Sequence, residues 1–339
     1  MPLKLILQIN YLIKFELLNF NRTQVIIFAI MHEETNYNLI VVTGPTAGGK
    51  TRFGALLANE LNSEIISADS RQIYKRMNLG TGKDYDDYVI GDKTIPYHLI
   101  DIHEPGYKYN VFEYQQDFTR IFKEIHARGK TPILCGGTGM YIEAVTQNYK
   151  LIAVPVNDKL RNELNDKSLP ELEEILAKYK SLHNKSDSDT KKRAIRAIEI
   201  EEYYLKNPEK KSQLPSIKPI FFGVKFDRDS RRKRITERLH IRLQEGMVEE
   251  VKSLLAEGIL PENLEYYGLE YKFLSWYLTN KITYDEMVEK LNTAIHQFAK
   301  RQMTWFRKME RNGIKIHWLD GYLPMEDKLN KALSILHRN

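Results

Sequence analysis

The stretch Gly44-Pro-Thr-Ala-Gly-Gly-Lys-Thr51 fits the pattern GxxxxGK[ST] without a mismatch. Between a buried strand and an amphipathic helix, such a loop aims successive backbone N–H groups and a helix N-terminus at one point, which makes an anion site. Gly44, Pro45, Thr46, Ala47, Gly48 and Gly49 would form the cradle. Lys50 would reach the outer phosphates, and the Thr51 hydroxyl would ligate Mg²⁺. Three further positions could do chemistry beside it. Asp69, at the end of the next strand, offers a carboxylate that can hold Mg²⁺ through water or act as a general base. An isolated Asp there also serves as a helix cap or turn residue. Gly136-Gly-Thr-Gly139 ends another strand and offers a close backbone approach plus the Thr138 hydroxyl. Arg228, just after the last long strand, can place a guanidinium on a diphosphate, although a surface Arg is the ordinary expectation.

The elements that must position these groups follow from the pattern. Leu39–Thr43 reads as a short buried strand and Arg52–Leu61 as an amphipathic helix. Further strands are expected at Ser63–Ala68, Tyr97–Asp101, Lys130–Cys135 and Pro219–Phe226, with a loop at Leu79–Asp84. Helices are expected at Asn110–Arg128 and from Met140 to Val145. Such alternation predicts an α/β fold: a P-loop doubly wound parallel sheet with ligands at the C-terminal strand ends. Asn157–Tyr179 carries polar helical patterns without strands, Lys192–Leu205 is helical, and Ser230–Arg311 is helical with breaks near Gly258–Pro261 and Gly268. A strand-like segment, Ile314–Leu319, closes the chain. The boundaries are an N-terminal extension over 1–36 outside the fold, a P-loop core over 37–150, a helical insertion over 151–190, and the remaining core with C-terminal helices over 191–339.

At 339 residues, 42% hydrophobic and 28% charged, the composition is that of a soluble globular chain. The net charge of +6 permits a polyanionic partner. The basic residues crowd between Lys191 and Arg234, a density that suits either a nucleic-acid face or a solvated helix surface. One cysteine, Cys135, excludes an internal disulfide and Cys-based zinc sites and points to a reducing, cytoplasmic setting. Its place inside a strand makes it a buried structural residue. Lys4, Lys14, Glu16 and Arg22 interrupt the apolar first thirty residues, so neither a membrane span nor a secretory signal is expected. Met31 reads as the functional start.

Taken in order, several motifs carry a family resemblance. They are the P-loop, Ala68-Asp-Ser-Arg-Gln-Ile-Tyr74, Leu79-Gly-Thr-Gly-Lys83, Asp101-Ile-His-Glu-Pro105 with Tyr109, Gly136-Gly-Thr-Gly-Met-Tyr141, Arg193-Ala-Ile-Arg-Ala-Ile-Glu199 and Phe298-Ala-Lys-Arg-Gln-Met-Thr-Trp-Phe-Arg307. Over about residues 38–320 the chain resembles the tRNA dimethylallyltransferase (tRNA isopentenyltransferase) family. The resemblance implies transfer of a dimethylallyl group from dimethylallyl diphosphate to the exocyclic amine of an adenosine beside the tRNA anticodon. It implies that the P-loop holds the donor's diphosphate, with Lys50, Thr51, Arg228 and Thr46 as contacts, and that Asp69 is the base. It implies tRNA contacts at Asp69, Ser70, Arg71, Gln72, Thr138, Lys192, Arg193 and Arg196, a partner in the anticodon stem-loop, and a monomer. Lys300, Arg301, Gln302 and Trp305 match a C-terminal signature read as partly structural.

Departures from the family pattern are Gly48 in place of Ser, Asp84 in place of the Pro that usually ends the Gly-Thr-Ala-Lys-Pro motif, and His296 where Arg is common. The middle insertion is also short, and a single cysteine cannot build the zinc finger of some eukaryotic members. Rival readings are an adenylate isopentenyltransferase acting on a free nucleotide, a P-loop small-molecule kinase, and a non-enzymatic tRNA-binding module.

Overall fold

The computed structural model describes residues 36–149, 151–179, 188–208 and 214–338. The expectation for the N-terminal extension therefore lies almost wholly outside the described residues. The elements in chain order are β1 (Leu39–Thr43), α1 (Lys50–Glu60), β2 (Ile65–Ser67), β3 (Val89–Ile90), β4 (Lys93–Thr94), β5 (Tyr97–His98), α2 (Val111–Ala127), β6 (Ile133–Gly136) and α3 (Gly139–Thr146). Next come α4 (Asp158–Asn165), α5 (Leu169–Ala177), α6 (Lys191–Lys206), β7 (Pro219–Lys225), α7 (Arg228–Gln244), α8 (Met247–Ala256), α9 (Pro261–Tyr267) and α10 (Leu269–Leu278). The long helix α11 (Tyr284–Arg311), β8 (Ile316–Asp320) and α12 (Met325–Leu336) complete the described chain.

Six strands form one sheet in the order β5-β2-β6-β1-β7-β8, and every pair is parallel. A parallel sheet has helices on both faces, so its central strands are apolar on both sides. All five residues of β1 are buried, and their side chains alternate between two cores: Leu39 and Val41 face one, Ile40 and Val42 the other. The first core receives α2 through Tyr114, Phe118, Ile121, Phe122 and Ile125, together with the C-terminal helices. The second receives α1 through Phe53, Leu57 and Ala58, and α12 through Ala332 and Leu336. Cys135 sits in β6, buried, as its strand position requires.

Helix α2 begins at a capping box: the Asn110 side chain accepts from the Phe112 and Glu113 N–H groups, and Glu113 reaches back to the Asn110 N–H. The expected Tyr97–Asp101 strand is only Tyr97–His98, because Leu99 and Asp101 take left-handed backbone conformations and leave the sheet edge. Leu164, Leu172, Leu176, Ala194, Ile195, Ala197 and Ile198 form a separate small core, so α6 packs with α4 and α5. The helical unit thus extends past residue 190. Glu199 ties it together, accepting from Arg161 (2.9 and 3.0 Å), from the Asn157 N–H (2.6 Å) and from Arg196. Helix α12 and the short β3–β4 hairpin were not anticipated from the sequence.

Candidate active site

The P-loop emerges from β1 and enters α1 through Gly49, which takes φ 74° as the helix N-cap. Gly44 takes φ 149°, and a Cβ there would lie 2.6 Å from the Val224 carbonyl oxygen, so only glycine lets the loop turn this close to β7. Thr46 to Thr51 line a cavity of about 360 Å³. Asp69 and Gln72 line the same cavity, which places the carboxylate expected at the end of β2 beside the phosphate cradle. Asp69 Oδ1 accepts from the Arg71 N–H at 2.9 Å, which holds the carboxylate in a tight turn. Burial pushes the Lys50 ammonium below its ordinary range, and the Asp69 carboxylate opposes that shift.

Asp69 is fixed from both sides by Thr138. The Thr138 N–H donates to the Ala68 carbonyl at 3.1 Å, and Thr138 Oγ1 accepts from the Ser70 N–H at 3.1 Å. A Cβ on Gly136 would meet the Ala68 carbonyl oxygen at 2.3 Å, so the glycine pair permits this approach. The Arg71 guanidinium donates to the Tyr266 carbonyl and stands 6.0 Å from its ring centroid. On the far side of the Gly136–Gly139 loop, Trp305 presses against Gly139, and its buried Nε1 has no hydrogen-bond partner among the described residues. Lys308 lies 5.0 Å from the Trp305 ring, and Arg301 lies 5.9 Å from Phe298. Trp305, with Lys308 over its ring, thus forms an aromatic and basic rim beside Gly139.

The opposite wall comes from α7. Arg234, Glu237, Arg238 and Ile241 face the cavity, and Arg234 Nε donates to the Ala47 carbonyl at 3.1 Å while its guanidinium covers the Phe226 ring at 4.5 Å. Arg238 binds Asp84 (2.9 Å) and the Gly82 carbonyl (3.3 Å), and Arg242 also pairs with Asp84. The residue that replaces the family's proline thus anchors its loop to α7. Glu250 supports the same loop, accepting from the N–H groups of Asn78, Leu79 and Gly80 at 2.8, 2.8 and 3.1 Å and from the Tyr271 hydroxyl at 2.7 Å. Glu270 adds a second carboxyl near Asp69. Burial raises it to about 7, with Arg238 and Arg71 opposing.

Arg228 does not line this cavity. It opens α7 and borders a larger one of about 1180 Å³ between α7, α11 and the ends of β7 and β8, together with Lys225, Arg231, Arg232, Lys300 and Arg307. None of these four arginines has an ion-pair partner among the described residues; burial and the neighbouring Arg307 and Arg228 pull Arg231 below its ordinary range. His296 borders this groove too, with Nε2 3.2 Å from Thr236 Oγ1 and a buried Nδ1 without a partner among the described residues. Lys192 and Arg193 lie exposed at the start of α6, where Arg193 pairs with Asp189 at 2.6 Å. Arg196 is engaged internally, with the Val154 carbonyl at 2.9 Å and with Glu199. The groups that sequence reasoning missed are Arg234, Arg238, Glu250, Glu270 and the internal use of Gln302.

With this geometry in place, the relatives are informative. The family model described as IPP transferase matches residues 72–309. A tRNA dimethylallyltransferase 2 of Bacteroides fragilis is 62% identical over 295 residues, which cover 87% of this chain and 96% of the relative. The chain belongs to the IPP transferase family. The tRNA dimethylallyltransferase 1 of Parabacteroides distasonis is 59% identical, covering 89% and 98% of the two chains. Among solved structures, the tRNA isopentenylpyrophosphate transferase of Bacillus halodurans matches with a TM-score of 0.65 and 30% identity, over 89% of this chain and 97% of that one. A eukaryotic dimethylallyltransferase acting on tRNA shares the fold, with a TM-score of 0.67 at 22% identity over 84% and 73% of the chains. The prenyltransferase family thus supplies the reaction class, and no helix among this transferase's described residues is long and apolar enough to cross a membrane.

Proposed function

We propose that this chain transfers a dimethylallyl group from dimethylallyl diphosphate to the exocyclic amine of the adenosine 3′-adjacent to the anticodon in tRNA, releasing diphosphate. The observation that carries the reading is that the P-loop, Asp69 and Arg234 share one small cavity. A phosphate cradle and a carboxylate base belong to the two halves of one displacement. The donor's allylic C–O bond breaks, its electron pair stays on the diphosphate, a C–N bond forms, and the amine proton passes to Asp69. The P-loop N–H groups that face the cavity, with Lys50, Arg234 and Arg238, stabilise the charge that develops on the leaving group. An adenine amine is a weak nucleophile because its lone pair is delocalised, so a positioned base contributes about 10²- to 10⁴-fold.

The donor set fits Mg²⁺. Thr51 lines the cavity with Asp69 and Asp87, and no group of three or more His, Cys, Asp or Glu side chains is poised for a metal among the described residues. An ion held largely by substrate oxygens and water, with the Thr51 hydroxyl, suits the preferences of Mg²⁺. When bound, it would supply Lewis-acid stabilisation of the departing diphosphate.

The base reaches Asp69 past Ser70, Arg71, Gln72 and Thr138, after leaving the anticodon-loop stack. The Trp305 rim offers a stacking platform, Lys192 and Arg193 offer cations to the RNA backbone, and the protein acts as a monomer in the cytoplasm. The rival readings take the same cavity differently: an adenylate isopentenyltransferase would prenylate a free nucleotide there, and a kinase would hold ATP. A competition assay separates them. The purified protein, given labelled dimethylallyl diphosphate, labels an anticodon stem-loop and leaves free AMP unmodified. Labelled AMP, or phosphate transferred from ATP to any acceptor, would overturn the proposal.

A further inference from the structure

Gln302 sits on the buried face of α11 with both ends of its amide in use. Its Oε1 accepts from the Thr46 N–H in the P-loop at 2.9 Å, and its Nε2 donates to the Gly137 carbonyl at 2.9 Å. Gly137 precedes Thr138, which binds Ala68 and Ser70 and so grips Asp69 from both sides. A Cβ on Gly137 would lie 2.5 Å from Gln302 Nε2, so glycine is needed for this contact. One side chain therefore links the donor cradle to the loop that carries the base. Neither bond touches a ligand: the Thr46 amide is spent on Gln302, which removes it from the set of cradle donors.

We infer that Gln302 is a positioning residue that sets the separation between the diphosphate cradle and Asp69 through its two amide bonds. This rests on the prenyl-transfer reading for its rate readout and is independent of it for the cradle. The amide accepts at one end and donates at the other whatever the pH. A carboxylate of the same length keeps the Thr46 bond but faces the Gly137 carbonyl with a lone pair. A protonated carboxylic acid restores both bonds, and burial against a carbonyl raises the pH at which that form persists.

Four measurements on the full chain test this, using Gln302→Ala and Gln302→Glu. Single-turnover transfer to tRNA at saturating substrates falls about 30-fold or more in both variants near neutral pH, the scale of a small misplacement of reacting groups. The tRNA Kd stays within about twofold, since no RNA contact is removed. From about pH 8 to about pH 5.5, Gln302→Glu regains about fivefold or more relative to wild type at each pH, while Gln302→Ala does not. Inorganic diphosphate binding weakens about tenfold in Gln302→Ala. A Gln302→Ala rate within twofold of wild type, whatever its Tm, overturns the inference. So does a Gln302→Glu to wild-type ratio that is flat with pH; this arm decides if the Ala variant fails to fold. If the wild type itself does not modify tRNA, the functional reading has failed, and diphosphate binding alone judges the clamp: unchanged affinity overturns it, and tenfold weakening supports it.

Discussion

Asp69 illustrates how a short side chain acquires a role from its surroundings. Its carboxylate accepts from the Arg71 N–H, its neighbours Ala68 and Ser70 are pinned by Thr138, and Lys50 stands in the same cavity wall. Asp69→Asn keeps the size and the turn bond while removing the proposed proton acceptor. It is expected to lower kcat by about 10²- to 10⁴-fold with tRNA affinity preserved, as read by paired single-turnover and filter-binding assays. On the proposed reading, Arg234 meets the other substrate, the diphosphate donor. Arg234→Ala removes a guanidinium next to the P-loop, and its expected effect is a raised KM for dimethylallyl diphosphate together with a reduced kcat, on the order of 10- to 100-fold in kcat/KM. A change confined to the KM for tRNA would contradict that placement.

At the scale of elements, the loop beside the cradle is held in part by helices that do not line the cavity. The Asn78–Gly80 backbone hangs on Glu250 of α8, and the Tyr271 ring of α10 closes over Gly80, where a Cβ would fall 2.6 Å from Tyr271 Cζ. Glu250→Ala strips acceptors from three N–H groups, and a loss on the order of 2–4 kcal/mol is expected in urea unfolding. The P-loop, Asp69 and the Gly136–Gly139 loop were legible in the sequence because each is a contiguous motif at a strand end, where topology fixes direction. The arginines of α7 were not. Arg228, Arg231, Arg232, Arg234, Arg238 and Arg242 stand within one helix, and only its rotation against the sheet decides which face the cavity. Spacing held a partial signal: 234, 238 and 241 fall in one helical stripe, whereas 228, 232 and 235 fall in the next. Helix α12 had its pattern too, in Leu329, Ala332, Leu333 and Leu336, but it lay past the last family motif. Glu250 and Gln302 act through contacts about 170 and 165–256 residues away, which no local spacing shows.

The whole molecule joins a parallel-sheet core to one groove whose arginines have no ion-pair partner among the described residues. Stability rests partly on Glu64, just before β2, which meets Arg128 (2.7 Å), His98 (2.9 Å) and Lys130 (3.1 Å). Burial alone would raise its carboxyl, but the bonds from Arg128, His98 and Lys130 outweigh it and hold the group at about 2, against 4.5 when free. A depressed acid stabilises the fold above its unfolded pKa, so this contribution, on the order of 3 kcal/mol, is full above about pH 5 and fades as pH falls toward 2. Glu64→Gln should therefore flatten the acid limb of a Tm-versus-pH curve. The groove cations behave oppositely, since nothing pairs them among the described residues. Replacing Arg231, Arg232 and Arg307 by Gln relieves repulsion and should leave Tm equal or higher. If RNA phosphates enter this groove, the slope of log K against log salt for tRNA binding falls by about two. Mass spectrometry of the nucleosides from an unmodified tRNA, incubated with the purified protein, Mg²⁺ and dimethylallyl diphosphate, reads the proposed transfer itself. The adenosine 3′ to the anticodon should gain the mass of one dimethylallyl group with wild type and none with Asp69→Asn; an unmodified adenosine with wild type, or the same yield from Asp69→Asn, would rule out prenyl transfer by Asp69 at this cavity.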